Sequence, residues 1–255
     1  MYPRHKYPRI LAFLMGWLCC VMVAVAGNPV TIVIDAGHGG KDPGAIGKRG
    51  KEKDINLSVA LAVGRLVEQQ LQDVNVVYTR KTDVFVELNE RANIANRAKA
   101  DLFISIHTNA VAGKGLVHGA ETYTLGMHRA ADNLAVARRE NEVILLENDY
   151  EQRYEGFDPR SAESYIIFEL MQDVNMSQSV RLATLVQKQM KTVGRVDKGV
   201  HQAGFLVLRA TSMPSCLIEL GYITNATEET YLLSQAGVNQ LAQGIFQAIK
   251  DYFKL

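Results

Sequence analysis

The chain has 255 residues, of which 47% are hydrophobic and 22% charged, the composition of a folded globular protein and not of a disordered one. Its 28 Lys+Arg stand against 27 Asp+Glu, a formal net charge of +1, so there is no chain-wide basic field and nucleic acid is not an expected partner. The length allows one large domain or two small ones.

At the amino end, Met1 to Arg9 carries Arg4, Lys6 and Arg9 without an acid, and an apolar run of seventeen residues, Ile10 to Ala26, ends in Ala24-Val25-Ala26. A basic stretch, an apolar stretch and a small-x-small ending are the parts of a secretory signal. Residues 1–26 are therefore expected to be cleaved and the remainder, 27–255, exported to the periplasm or cell envelope. The alternative is retention as an anchor, since the run is near the lower limit for spanning a bilayer. Removing 26 of the 255 residues leaves 229, and losing three bases but no acid leaves 25 Lys+Arg against 27 Asp+Glu. Cys19 and Cys20 leave with the signal. Cys216 remains alone, without a disulfide partner, in an apolar run where a buried, inert thiol is expected.

From Val30 onward, β-branched runs alternate with helical spacing. Val30 to Asp35 reads as a strand, Ala36 to Gly50 as a Gly-rich loop, and Asp54 to Leu71 as a helix with Leu57, Leu61, Val63 and Leu66 at helical spacing. Strand Val74 to Tyr78, helix Leu88 to Ala98 and strands Asp101 to His107 and Ala120 to Leu125 follow. A charged and aromatic segment, about 127–173, interrupts the rhythm; a stretch that long inside a domain carries its own structure or a function. Helix Met176 to Val193, strands Phe205 to Leu208 and Cys216 to Leu220 and a closing helix Val238 to Phe253 complete the pattern. The pattern predicts one α/β domain, a mostly parallel central sheet flanked by helices, with a helical insertion.

Ligands in such sheets bind beyond the carboxyl ends of the strands. Three of those ends carry titratable groups: Asp35-Ala-Gly-His38, Ile104-Ser-Ile-His107 and Ile218-Glu219. If these strands are parallel, two histidines and a glutamate share one rim. Two imidazoles and a carboxylate suit zinc with one position left open for water. Glu52, just before the first long helix, can close back on the glycine loop as the third ligand, which leaves Glu219 as the base. Each residue alone has a plainer reading. A buried histidine is commonly a hydrogen-bonded core residue, and Glu52 could be a charge favoured by the helix dipole. Glu219, between Ile218 and Leu220, must be paired, metal-bound or protonated once buried.

Four stretches, Asp35-Ala-Gly-His-Gly-Gly40, Glu52-Lys-Asp-Ile-Asn-Leu57, Ser105-Ile-His-Thr-Asn-Ala110 and Ile218-Glu-Leu-Gly-Tyr-Ile-Thr-Asn225, resemble the signatures of the zinc-dependent N-acetylmuramoyl-L-alanine amidases of bacterial cell separation. Gly119-Ala-Glu-Thr-Tyr123 and Gly204-Phe-Leu-Val-Leu-Arg209 match as well. The resemblance implies one zinc ion held by His38, Glu52 and His107, with Glu219 as the catalytic acid/base. It implies peptidoglycan as the substrate, cut at the amide between the lactyl group of N-acetylmuramic acid and L-alanine. The targeting domain and wall-binding repeats of some relatives are not expected here. Nothing such as a heptad seam suggests an oligomer, so a monomer is expected. Two other readings remain: a catalytically silent wall-binding or scaffold protein on the same fold, and a zinc hydrolase of another amide.

Within Ala130 to Glu147, residues Val136, Ala137, Val143 and Ile144 form one helical stripe that also contains Glu140 and Glu147. A solvated amphipathic helix would explain this. So would a helix docked over the cleft with a glutamate in zinc's open position, since similar amidases are autoinhibited by an inserted helix and released by a separate activator protein. The motif Arg139-Glu140-Asn141 makes Glu140 the first choice for the blocking residue and Glu147 the second.

Overall fold

The computed structural model describes residues 29–111, 116–127, 131–170 and 174–255; the expected signal, 1–26, lies outside them. Among the described residues no helix is long and apolar enough to cross a membrane. The chain runs β1 (Val30–Ala36), α1 (Glu52–Gln70), β2 (Val74–Tyr78), α2 (Leu88–Arg97), β3 (Leu102–Asn109) and β4 (Ala120–Leu125). The insertion holds α3 (Ala131–Asn141), a 3-10 turn (Glu142–Leu146), α4 (Tyr150–Arg153), a second 3-10 turn (Glu163–Ile166) and α5 (Ile167–Leu170). It is followed by α6 (Met176–Thr192), β5 (Asp197–Ala203), α7 (Leu206–Arg209), β6 (Ser215–Tyr222), α8 (Ala226–Leu232) and α9 (Gln235–Phe253).

The six strands form one sheet in the order β2-β1-β3-β6-β4-β5. All neighbours are parallel except β4 and β6, which are antiparallel. Strand alternation then divides the chemistry between two faces. Ile32, Ile34, Leu102, Ile104, Ile106, Cys216, Ile218 and Leu220 form an apolar core with α1, α6 and α9. The opposite face starts apolar, with Val33, Phe103, Leu217 and Tyr123 packed with residues of the insertion and α7. It turns polar toward the strand ends, where His107 pairs in register with Glu219 and Glu219 with Glu121. Because β4 is antiparallel to β6, its beginning reaches the rim where β1, β3 and β6 end.

Local structure departs from the sequence expectation at four places. Phe205 to Leu208, expected as a strand, is the start of the short helix α7, packed in the core beneath the insertion. The edge strand β5, Asp-Lys-Gly-Val-His-Gln-Ala, is only partly buried and carries too few apolar residues to announce itself. Helix α1 begins at Glu52, so this residue opens the helix and does not precede it. The stripe over 130–147 is broken, because α3 ends at Asn141 and tightens into a 3-10 turn. Cys216 is buried as expected, and burial pushes its thiol up, out of the reactive range.

Candidate metal centre and active site

His38 lies in the loop after β1, in a left-handed conformation with φ 61°. Two buried arginines hold that loop from beneath. Arg80 donates to the Ala36 and Gly37 carbonyls at 2.8 and 2.9 Å, and Arg91 to those of Ala36 and His38 at 2.8 and 2.9 Å. Arg91 also pairs with the buried Asp35 at 2.7 Å. Burial pushes the Asp35 carboxyl up, but the Arg91 charge with hydrogen bonds from Ser105 and Thr79 outweighs it and holds the group below its ordinary value. At Gly37 a β-carbon would stand 2.3 Å from His107 Nε2, so only glycine lets the loop pass this close to the second histidine.

Four side chains meet above the loop. His38 Nε2, His107 Nδ1, a Glu52 oxygen and a Glu140 oxygen all lie within 4.8 Å of one another, and all four residues are buried. Glu52 Oε1 is 3.1 Å from His38 and 3.2 Å from His107, and Glu140 Oε2 is 2.9 and 2.8 Å from the same atoms. Yet His38 Nε2, His107 Nδ1 and Glu140 Oε2 complete no hydrogen bond. They crowd within 4.8 Å of one another, as the ligands of one ion do. Burial depresses both imidazoles, but the Glu52 and Glu140 carboxylates outweigh it, raising His38 well above its ordinary value and His107 to about 9. The carboxylates thus call for positive charge at the centre. A divalent cation would supply it, and the donor set, two nitrogens and carboxylate oxygens, suits a borderline metal.

The supporting bonds orient the ligands. His38 Nδ1 meets Asp42 Oδ2 at 2.6 Å, which turns Nε2 toward the centre. Glu52 accepts from the backbone of Ala45 and Thr108, both at 2.8 Å, and from Asn56 at 3.2 Å. Beside this centre Glu219 is fully buried with neither oxygen hydrogen-bonded. Burial, reinforced by the Glu140 charge, raises its carboxyl well above the ordinary range, against the pull of Arg139.

The insertion reaches the centre through Arg139-Glu140-Asn141. Glu140 adds its oxygen to the cluster. Arg139 donates to the Ala110 carbonyl at 2.7 Å and to Glu140 at 2.9 Å, and lies 3.5 Å from Glu219. Asn141 donates to the Gly204 carbonyl at 2.7 Å and accepts from Leu206 N at 2.9 Å, anchoring α3 to α7. Glu147 is elsewhere: its carboxylate accepts from Leu88 N at 2.9 Å and from the Tyr154 hydroxyl at 2.8 Å, capping α2. So the structure brings together His38, Glu52, His107, Glu219 and Glu140, and sets Glu147 apart. Sequence reasoning missed Asp35, Asp42, Arg80 and Arg91. Asp42, four residues past His38 in a glycine-rich loop, was the one with a spacing that could have marked it.

A buried cluster of two histidines and two glutamates at the carboxyl ends of parallel strands, beside a buried glutamate without a hydrogen bond, is the equipment of a metal-dependent hydrolase. The model of the N-acetylmuramoyl-L-alanine amidase family matches residues 32–251, and the chain belongs to that family. It is 32% identical to the amidase AmiC of Escherichia coli O6:H1, covering 89% of this chain and 53% of that one. It is also 32% identical to the amidase AmiA of Escherichia coli K12, covering 89% and 78%. The chain thus spans about half the length of the first of these relatives. Among solved structures, an amidase from Clostridium difficile 630 matches with a TM-score of 0.66 at 29% identity, over 89% of this chain and 98% of that one. AmiC2 of Nostoc punctiforme matches with a TM-score of 0.65 at 31% identity, over 89% and 98%.

Proposed function

We propose that the chain is an exported zinc amidase that cuts peptidoglycan at the amide between the lactyl group of N-acetylmuramic acid and L-alanine, and that α3 holds it inactive. The observation that carries this reading is the convergence of His38, Glu52 and His107 on one centre, with Glu219 buried and without a hydrogen bond beside it. Family membership supports the substrate, and the basic-apolar-small amino end supports export.

His38, Glu52 and His107 would hold the zinc, which when bound polarises a carbonyl and brings a water near pKa 7. Glu219 takes a proton from the attacking water. It then delivers that proton to the alanine nitrogen as the amide breaks. Glu140 occupies the position where water and substrate would enter, and Arg139 lies against Glu219, so one helix restrains both ligand set and base. Displacement of α3 by a separate activator protein in the envelope, during wall splitting, would release both.

Chromatography of soluble products from purified sacculi tests the reading. The Glu140→Ala chain is expected to release intact stem peptides and leave unsubstituted glycan, with Glu219→Gln retaining zinc but losing hydrolysis by at least about 10³-fold. Hydrolysis by a zinc-loaded Glu219→Gln chain would remove Glu219 from its role. Glycan fragments in place of peptides would remove the amidase assignment.

A further inference from the structure

Residues 46–51 form a small hairpin between the loop of His38 and the start of α1. Ile46 and Lys51 pair in the antiparallel sense, Gly47 N donates to the Gly50 carbonyl at 2.9 Å, and Lys48 and Arg49 make an exposed tip. Glu52 is set at the base of this hairpin. Its N–H donates to the Ala45 carbonyl at 2.9 Å, and Ala45 N returns a bond to Glu52 Oε2 at 2.8 Å. Oε1 meanwhile lies 3.1 and 3.2 Å from His38 and His107. One carboxylate oxygen is thus tied to the hairpin while the other faces the histidines.

A turn with glycine at both ends has little stiffness of its own. Here the stiffness comes from α8. Glu229, almost fully buried, brings Oε1 against the tip and accepts from Arg49 N at 2.6 Å and Gly50 N at 3.0 Å, while Oε2 lies 3.6 Å from Arg49 Nε. Burying a carboxylate is costly unless such charge-assisted bonds offset it. The approach is close. A β-carbon at Gly47 would stand 2.4 Å from Glu229 Oε1, and one at Gly50 would stand 2.7 Å from Leu233, four residues on from Glu229. The contact joins residues 180 apart, and α8 follows directly on β6, the strand of Glu219. The neighbouring Glu228 serves other partners: Arg195, and the backbone N–H groups of Gly119 and Tyr222 at 3.1 and 3.3 Å.

We infer that Glu229 is a positioning residue for the metal centre: by clamping the tip of the 46–51 hairpin it holds Ala45 against Glu52 and so presets the Glu52 carboxylate to ligate. The inference rests on the reading of Glu52 as a zinc ligand. Without the clamp, the bonds at the base of the hairpin must hold a loose turn in place, and the cost of ordering it falls on metal binding.

The test is chelator competition for zinc on the full chain, with melting temperature measured alongside. Glu229→Ala is expected to weaken zinc binding by about tenfold. Glu229→Gln, which keeps an acceptor oxygen for both N–H groups, should stay within about threefold of the native chain. Glu228→Ala removes a buried carboxylate from the same helical turn, so it should lower the melting temperature and leave zinc affinity unchanged. Gly47→Ala opens the contact from the hairpin side; it should weaken zinc binding alone and add little in the Glu229→Ala background, because both changes break one contact. It also carries the test if Glu229→Ala does not fold. Native zinc affinity in Gly47→Ala and in a folded Glu229→Ala chain, or a loss that simply follows melting temperature through Glu228→Ala as well, would overturn the inference. Glu52→Gln separates the two readings. Zinc lost there but kept in the Glu229 and Gly47 variants removes the positioning role alone, whereas zinc kept in Glu52→Gln removes Glu52 as a ligand and the positioning role with it.

Discussion

His38 reaches the cluster only because its backbone adopts φ 61°, a conformation that costs a β-carbon-bearing residue on the order of 1–3 kcal/mol and persists where neighbours enforce it. Arg91 at its carbonyl and Asp42 at its Nδ1 do the enforcing. Asp42→Ala is therefore expected to weaken metal binding by about 10–100-fold without unfolding the chain, read by chelator competition. Asp35 is a stability residue by contrast. Asp35→Asn leaves Arg91 buried without its counter-charge, a loss of about 3–5 kcal/mol. The folded carboxyl titrates below its ordinary value of 3.8, so its contribution is complete above about pH 4 and disappears as pH falls through the folded value. Denaturant unfolding at neutral pH and near pH 3 should thus show the gap between native chain and variant narrowing with acid; a constant gap would contradict the ion-pair account. The two histidines, Glu52 and Glu219 were legible in the sequence because strand ends and a glycine loop are local signals. Arg80 and Arg91 were not, since the loop carbonyls they hold lie 43–55 residues away and no local pattern encodes such a contact.

The insertion behaves as two elements. Its distal part is core: Tyr154, Phe157, Tyr165 and Phe168 are buried against α7 and β4, with the Phe157 and Tyr165 rings 5.1 Å apart. Deleting about 127–173 would strip that packing and expose the sheet face, so deletion is a poor probe of autoinhibition. Helix α3 joins the same cluster through Val136 and Ala137, and adds polar anchors: Glu140 at the centre, Arg139 beneath it and Asn141 at its end. Asn141→Ala is expected to raise hydrolysis of sacculi at least several-fold while the melting temperature falls by several degrees, since it removes the bonds to Gly204, Leu206 and the Tyr165 hydroxyl while the rings of the aromatic cluster keep their packing. Reduced activity in a folded Asn141→Ala chain would mean that α3 supports the site and does not close it. The helical stripe in 130–147 announced this element, but its break at Asn141 was hidden because the apolar spacing continues through Val143 and Ile144. The strand expected over Phe205 to Leu208 failed for a related reason. A short apolar run suits a buried helix turn as well as a strand, and here Asn141 caps it at Leu206 N.

For the whole molecule, the metal would join what the chain brings from far apart: the loop after β1, the start of α1, the end of β3 and the insertion. A ligand that binds only this folded arrangement stabilises it by about 2.7 kcal/mol at a hundredfold excess over its dissociation constant, which for a domain of this size corresponds to roughly 5–10 °C in melting temperature. Zinc addition to chelator-treated protein should give a shift of that size. Two accounts of Glu140 then separate. A closed set of four protein ligands is the arrangement of a structural zinc site, whereas a catalytic site keeps one position open. If Glu140 is a removable fourth ligand, Glu140→Ala lowers zinc retention and the zinc-dependent shift while hydrolysis rises. If it is an obligate ligand, retention and hydrolysis fall together. Zinc content, melting shift and peptide release measured on the same preparation decide between them, because only a regulatory glutamate makes metal affinity and activity move in opposite directions.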